Sequence, residues 1–154
     1  MFKDEAALWE HVRIGMAGRW HSQRHEDRYS KGIPDVSYAL GGRDGWIELK
    51  HLDNYPRGTR SKALTWDFAL DHLTVDQRNW MRNRYEHGSG RVFLMAAMGG
   101  KVLIWQWHRV QDLLGRAQWK VIESAASARW ADGIRWSELS LILQDGRSFP
   151  GWST

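Results

Sequence analysis

Two short apolar runs joined by a glycine pair, in GIPDVSYALGGRDGWIELK (residues 32–50), constrain this chain more than any other stretch. PDVSYAL (34–40) and GWIELK (45–50) read as strands, and the intervening GGRD is a strong hairpin signal. The outer ends of that hairpin carry Asp35, Glu48 and Lys50. With the turn centred on Gly42 and Arg43, symmetric pairing sets Asp35 opposite Lys50 and Ser37 opposite Glu48. Glu48 and Lys50 are two residues apart and share one face of their strand. Asp35 then lies diagonal to Glu48 on that face, roughly 7–8 Å away between backbones. Charges in strands that otherwise read as core are either solvated strand ends or groups that meet around something.

The rest of the chain supplies a frame for this hairpin. Residues 3–17 repeat Leu8, Trp9, Val12 and Met16 at helical spacing and stop at Gly18. WHSQRHED (20–27) is extended and polar. LTVDQRNWMRNRYEHG (73–88) reads as a helix with Thr74 as N-cap, Asp76 in the first turn and Gly88 past the end. RVFLMAA (91–97) and KVLIWQW (101–107) form a second hairpin across MGG. From residue 109 onward the pattern is helical through VQDLLG and RAQWKVIESAASARW, and RWSELSLIL (135–143) fits helix or strand. The expectation is a single α/β domain over residues 1–154, with a mixed central sheet flanked by helices. Its core would span 3–107, with a helical C-terminal extension over 108–154.

Composition narrows the partners. The chain has 154 residues, enough for one hydrophobic core. No apolar run approaches a membrane span, and MFKDEAALWE lacks the apolar core of a signal peptide. Cysteine is absent, which excludes thiolate metal sites and fits a reducing cytoplasm. A net charge of +4 favours a polyanionic partner. The eleven tryptophans read first as packing, and second as rings on which exposed bases could stack. His21 and His25 lie on one extended segment, but no Cys or His-Glu-x-x-His pattern makes them zinc ligands.

Two partly shielded carboxylates, Asp35 and Glu48, repel unless a counter-charge joins them. A hard divalent cation with retained waters, Mg²⁺ or Mn²⁺, suits such oxygen ligands, and the Leu49 main-chain carbonyl is a further one. Lys50 beside the ion could orient an attacking water or stabilise developing negative charge.

Pro34-Asp35 followed by Glu48-Leu49-Lys50 resembles the signature of the PD-(D/E)xK nuclease superfamily. The preceding helix and the later glutamine-bearing helix match that family's order of elements. The chain is most similar to archaeal Holliday junction resolvases and to small phage-encoded and VRR-NUC nucleases, over about residues 3–107. The resemblance implies a restriction-endonuclease-like fold and Mg²⁺-dependent hydrolysis of DNA, with roles in recombination or repair. It also implies a homodimer, because a four-way junction presents two symmetry-related strands. A third acid usually comes from the first helix. Glu5 shares the packed face of that helix and is favoured; Glu26 and Glu10 are the alternatives. Gln77 matches a glutamine that holds the active-site lysine or the scissile phosphate. Arg57, Arg60 and Lys62 read as a basic loop for phosphate contacts. The competing readings are a nuclease for flaps, nicks or single strands, and a catalytically silent nucleic-acid-binding module.

Overall fold

Among the described residues, six strands hydrogen-bond in the order in which the chain makes them, and only the third and fourth run parallel to each other. The computed structural model describes residues 1–26, 31–56 and 73–153. Its elements are α1 (Glu5–Gly15), β1 (His21–Arg24), β2 (Val36–Leu40), β3 (Arg43–Leu52), α2 (Val75–His87), β4 (Val92–Met98), β5 (Lys101–Gln106), α3 (Trp107–Val110), α4 (Trp119–Ser124), β6 (Ala128–Trp130) and α5 (Trp136–Asp145). This is an α/β protein with a mixed sheet flanked by helices. Among the described residues, no helix is long and apolar enough to cross a membrane.

Helices cover both faces of the sheet, and each face has its own core. On the first face, Leu8 and Val12 of α1, Met16 just past its end, and Leu139, Ile142 and Leu143 of α5 pack on Val36, Ile47, Leu49, Met95 and Ile104. These two helices approach closely because position 15 is glycine: a Cβ there would lie 2.1 Å from the Trp136 ring. On the second face, Met81 of α2, Val110 of α3 and Ile122 of α4 pack on Leu94, Ala96, Leu103 and Trp105. Strands β4 and β5 are apolar on both faces, which is why they read as continuous runs rather than alternating ones.

The first hairpin differs from the expected register by a shift that leaves every face unchanged. Leu40 pairs with Arg43, Ser37 with Trp46 and Val36 with Ile47. The two-residue turn is Gly41-Gly42, with φ of 57° and 76°. Positive φ at both central positions matches the right-handed strand twist, and glycine adopts it without steric cost. Extending this register sets Asp35 opposite Glu48, where symmetric pairing about Gly42-Arg43 had set it opposite Lys50. The partner moves by two residues, so Asp35, Glu48 and Lys50 stay on one face.

The C-terminal third is not a helical appendage. Residues 128–130, expected as helix from an alanine-rich stretch, form β6 and pair with β5, Val102 to Trp130 and Ile104 to Ala128. Alanine is a good helix former, but propensity is worth only tenths of a kcal/mol per residue, and here strand pairing with Ala128 and Trp130 turned into the core outweighs it. RWSELSLIL resolves as helix α5, tied to β2 by the Tyr38 hydroxyl donating to the Leu143 carbonyl at 2.7 Å.

Candidate active site

Asp35, Glu48, Lys50, Glu5 and Gln77 come from four separate pieces of chain: Asp35, Glu48, Lys50 and Gln77 meet on the second face of the sheet over β2 and β3, and Glu5, at the start of α1, approaches Lys50. Glu48 lies at the centre. It is 1% exposed, and its Oε1 lies 2.9 Å from Lys50 Nζ and accepts from Gln77 Nε2 at 2.7 Å. Its Oε2 is also buried and has no donor among the described residues. Asp35 sits just before β2, where its Oδ2 accepts from the Leu49 backbone N–H at 2.8 Å. This bond takes the place of a ladder bond that β2, which begins at Val36, does not reach. In an extended strand a residue's C=O leaves on the same side as its N–H, so the Leu49 carbonyl also faces Asp35.

The electrostatics of this cluster are set by burial. Glu48 is pushed up from its ordinary 4.5 to about 8, first by burial, then by repulsion from Asp35, with Lys50 opposing. Asp35 is also raised by burial, against the pull of the Leu49 N–H, Lys50 and Arg24. The two carboxyls are close enough to share a proton. When both are ionised neither can donate, and Glu48 Oε2 is left as a buried acceptor with nothing to accept from. A divalent cation would satisfy that oxygen and offset the repulsion, so the donor set of Asp35, Glu48 and the Leu49 carbonyl fits a hard ion that keeps several waters. Among the described residues no three Asp, Glu or His side chains converge tightly enough to form a metal cage by themselves.

Of the three acids considered for the helix side, the structure brings in Glu5. Its Oε1 lies 4.0 Å from Lys50 Nζ, and burial raises its carboxyl pKa, with Lys50 opposing. Glu26 is exposed and pairs with Arg24 at 3.6 Å, while Glu10 is exposed and pairs with Arg13 at 2.6 Å. Glu5 therefore touches the lysine, and its effect on the other carboxylates runs through charge.

Gln77 has both ends of its amide committed. Its Oε1 accepts from the Thr74 N–H at 3.0 Å, closing a capping box with the Thr74 hydroxyl, while its Nε2 donates to Glu48. The cap fixes the amide's orientation, so the start of α2 serves as a rigid mount. Its partner is the glutamate, where the resemblance implied the lysine or a phosphate.

Two features escaped the sequence reading. Arg24, on β1, partly offsets by its charge the rise that burial gives the carboxyls of Asp35 and Glu5; nothing local in WHSQRHED sets it apart from its neighbours. Arg78, Arg82 and Arg116 also lie close enough for the latter two to lower the Arg78 pKa, although burial is the larger cause. This basic cluster joins α2 to the turn before α4. The expected basic loop with Arg57, Arg60 and Lys62 lies outside the described residues.

No protein-family model matches this chain, and no curated protein matches it. The chemistry must be read from these side chains. A buried glutamate beside a half-buried aspartate and one buried lysine is a donor set that can bind a cation and present an ammonium next to it.

Proposed function

We propose that this protein is a metal-dependent endonuclease of the restriction-endonuclease-like fold that hydrolyses phosphodiester bonds in branched DNA. The observation that carries the reading is Glu48: a buried carboxylate with one oxygen held by Lys50 and Gln77 and the other left open beside Asp35. Stability alone gives no reason to bury two repelling carboxylates, whereas cation binding does. Asp35, Glu48 and the Leu49 carbonyl would hold Mg²⁺ or Mn²⁺, which when bound supplies a water of lowered pKa and a counter-charge for the phosphoryl oxygens.

The chain's own groups divide the remaining work. Lys50 presents a cation where negative charge develops on the phosphorus centre, in a site sheltered from water. Glu5 and Glu48 flank that ammonium and hold it in place. Gln77 fixes the Glu48 carboxylate from a capped helix start. Arg78, Arg82 and Arg116 offer phosphate contacts on the helix side, and Arg57, Arg60 and Lys62 would add to them. A homodimer would offer two such sites to the paired strands of a junction.

The decisive experiment compares synthetic four-way junctions, flapped duplexes and linear duplexes under Mg²⁺, Mn²⁺, Ca²⁺ and EDTA. Cleavage at branches with Mg²⁺ or Mn²⁺, and none in EDTA, is the expected result. Full activity in EDTA overturns the mechanism, and binding without cleavage in every metal leaves a silent DNA-binding module.

A further inference from the structure

The sheet face that carries the acids continues into a second row of side chains. Along the observed register, Gln23 pairs with Ser37 and Ser37 with Trp46, and one step further His21, Ala39 and Asp44 align. The row Gln23–Ser37–Trp46 lies two residues from Asp35 and Glu48, a distance of roughly 7 Å along the strands. Above it runs one stripe of α2, Gln77, Trp80 and Arg84, spaced three and four apart. Gln77 reaches Glu48 in the acidic row. Trp80 and Arg84 reach the next row: the Trp46 and Trp80 ring centroids are 4.8 Å apart at 66°, and the Arg84 guanidinium lies 5.3 Å from one and 4.9 Å from the other.

This group is built unlike a core. Trp46 and Trp80 are half-buried and Arg84 is exposed. The floor is polar, and the Trp46 ring is steadied from behind by His25, 5.1 Å away, whose Nε2 is bonded to Ser37 Oγ at 2.8 Å. Trp46 and Arg84 wall a cleft of about 320 Å³ whose other walls include His21, Gln23, Ser37 and Asp44. That volume falls at the lower end of small-ligand pockets, roughly 300–1,000 Å³. On its far side Arg84 borders a second recess with Trp80, Asn83 and His87. The exposed arginine thus caps two half-buried indoles that touch edge to face, and it borders both recesses.

We infer that the cleft between Trp46 and Arg84, with Trp80 buttressing both, is a stacking site for one unpaired nucleobase of the DNA strand being cut. Its placement next to the scissile phosphate rests on the nuclease reading above. Indole and guanidinium planes stack on any base, while the Gln23 amide and the Asp44 carboxylate offer hydrogen-bond partners to its edge. A base held in a duplex stack cannot present its face to such a cleft without first leaving the stack. The substrate class that follows is branched DNA with unpaired nucleotides at the branch, such as a flap or fork, in preference to a fully paired junction.

The test measures binding by fluorescence anisotropy in EDTA, with a short oligodeoxythymidine and a blunt duplex of equal length. Arg84→Ala and Trp46→Leu are expected to weaken oligodeoxythymidine binding on the order of tenfold, the scale of one lost base stack, and to leave duplex binding unchanged. Trp46→Phe should restore most of the loss. Equal losses on both probes, or no loss on the single strand, overturn the inference. Thermal melts accompany each variant; if Trp46→Leu does not fold, the exposed Arg84→Ala decides by itself. Wild-type cleavage of a flapped duplex in Mg²⁺ separates the two readings. Selective loss of single-strand binding without wild-type cleavage keeps the stacking site and removes the nuclease. Cleavage without selective loss does the reverse.

Discussion

The second face of the sheet has two halves that share a backbone and almost nothing else. On β4 and β5, Leu94, Ala96, Leu103 and Trp105 are fully buried under α2, α3 and α4. On β2 and β3, the same face presents Ser37, Trp46, Glu48 and Lys50, with Asp35 at the strand entrance. Both halves meet helix α2, which turns Met81 toward the first and Gln77, Trp80 and Arg84 toward the second. A sheet that can build a dry core over two strands could have continued it over the next two. Instead it buries Glu48 and Lys50, at 1% and 7% exposure, where desolvation works against both charges. The apolar half holds the fold together, and the polar half is held in place by it.

If that division is correct, substitutions on the two halves should fail in different ways. The largest contrast is between Asp35→Asn and Trp105→Ala. Asn keeps an acceptor for the Leu49 N–H but removes a charge from the proposed cation site, so cleavage and Mn²⁺ binding should both vanish while the protein stays folded. Trp105→Ala removes a fully buried ring and its hydrogen bond to the Ile122 carbonyl, and should cost about 3–5 kcal/mol of stability. Calorimetric Mn²⁺ titration with a chemical denaturation curve separates them. An active Asp35→Asn enzyme would falsify the assignment of the polar half.

Lys50→Ala comes next. It should leave Mn²⁺ binding in place and lower the cleavage rate by about 10²–10³-fold, the usual loss for one electrostatic donor at the reacting centre. A rate unchanged within a few-fold would mean that Lys50 only neutralises its two glutamates.

The pH dependence of stability sharpens the comparison further. In metal-free protein the folded state holds the Glu48 proton more tightly than the unfolded chain does, because its pKa is about 8 in place of 4.5. Stability should therefore be greatest below about 4.5 on this group's account and fall as pH rises toward 8. Asp35 and Glu5, raised as well, act in the same direction. Glu48→Gln should flatten the decline, as should a bound divalent ion. Melting temperature against pH in EDTA is the measurement, and a rise across that window would contradict the burial of an ionised pair.

The smallest effect expected is that of Thr74→Ala. It opens the capping box and should cost about 1 kcal/mol. Because the same box orients Gln77, cleavage should drop several-fold more than the stability loss explains. Equal behaviour of wild type and variant at saturating substrate would reduce Gln77 to a helix cap.

Much of this site was legible in the chain because its signals are local. Gly-Gly turns, strand alternation and the Thr74–Gln77 spacing each act within a few residues, so they determined the hairpins, the helix start and the shared face of Asp35, Glu48 and Lys50. The face survived even an error in register, since a shift of two residues returns each side chain to the same side. What only the tertiary structure decided are meetings between distant segments. Glu5, Glu10 and Glu26 cannot be ranked conclusively by spacing, since the winner depends on where α1 starts relative to Lys50. The partner of Gln77, the reach of Arg24 and the meeting of Trp46 with Trp80 depend likewise on how α2 and β1 settle on the sheet. Strand β6 forms against local preference because β5 had an unpaired edge and Trp130 a core to enter. Periodicity tells a residue which way to face; packing alone tells it what it will face.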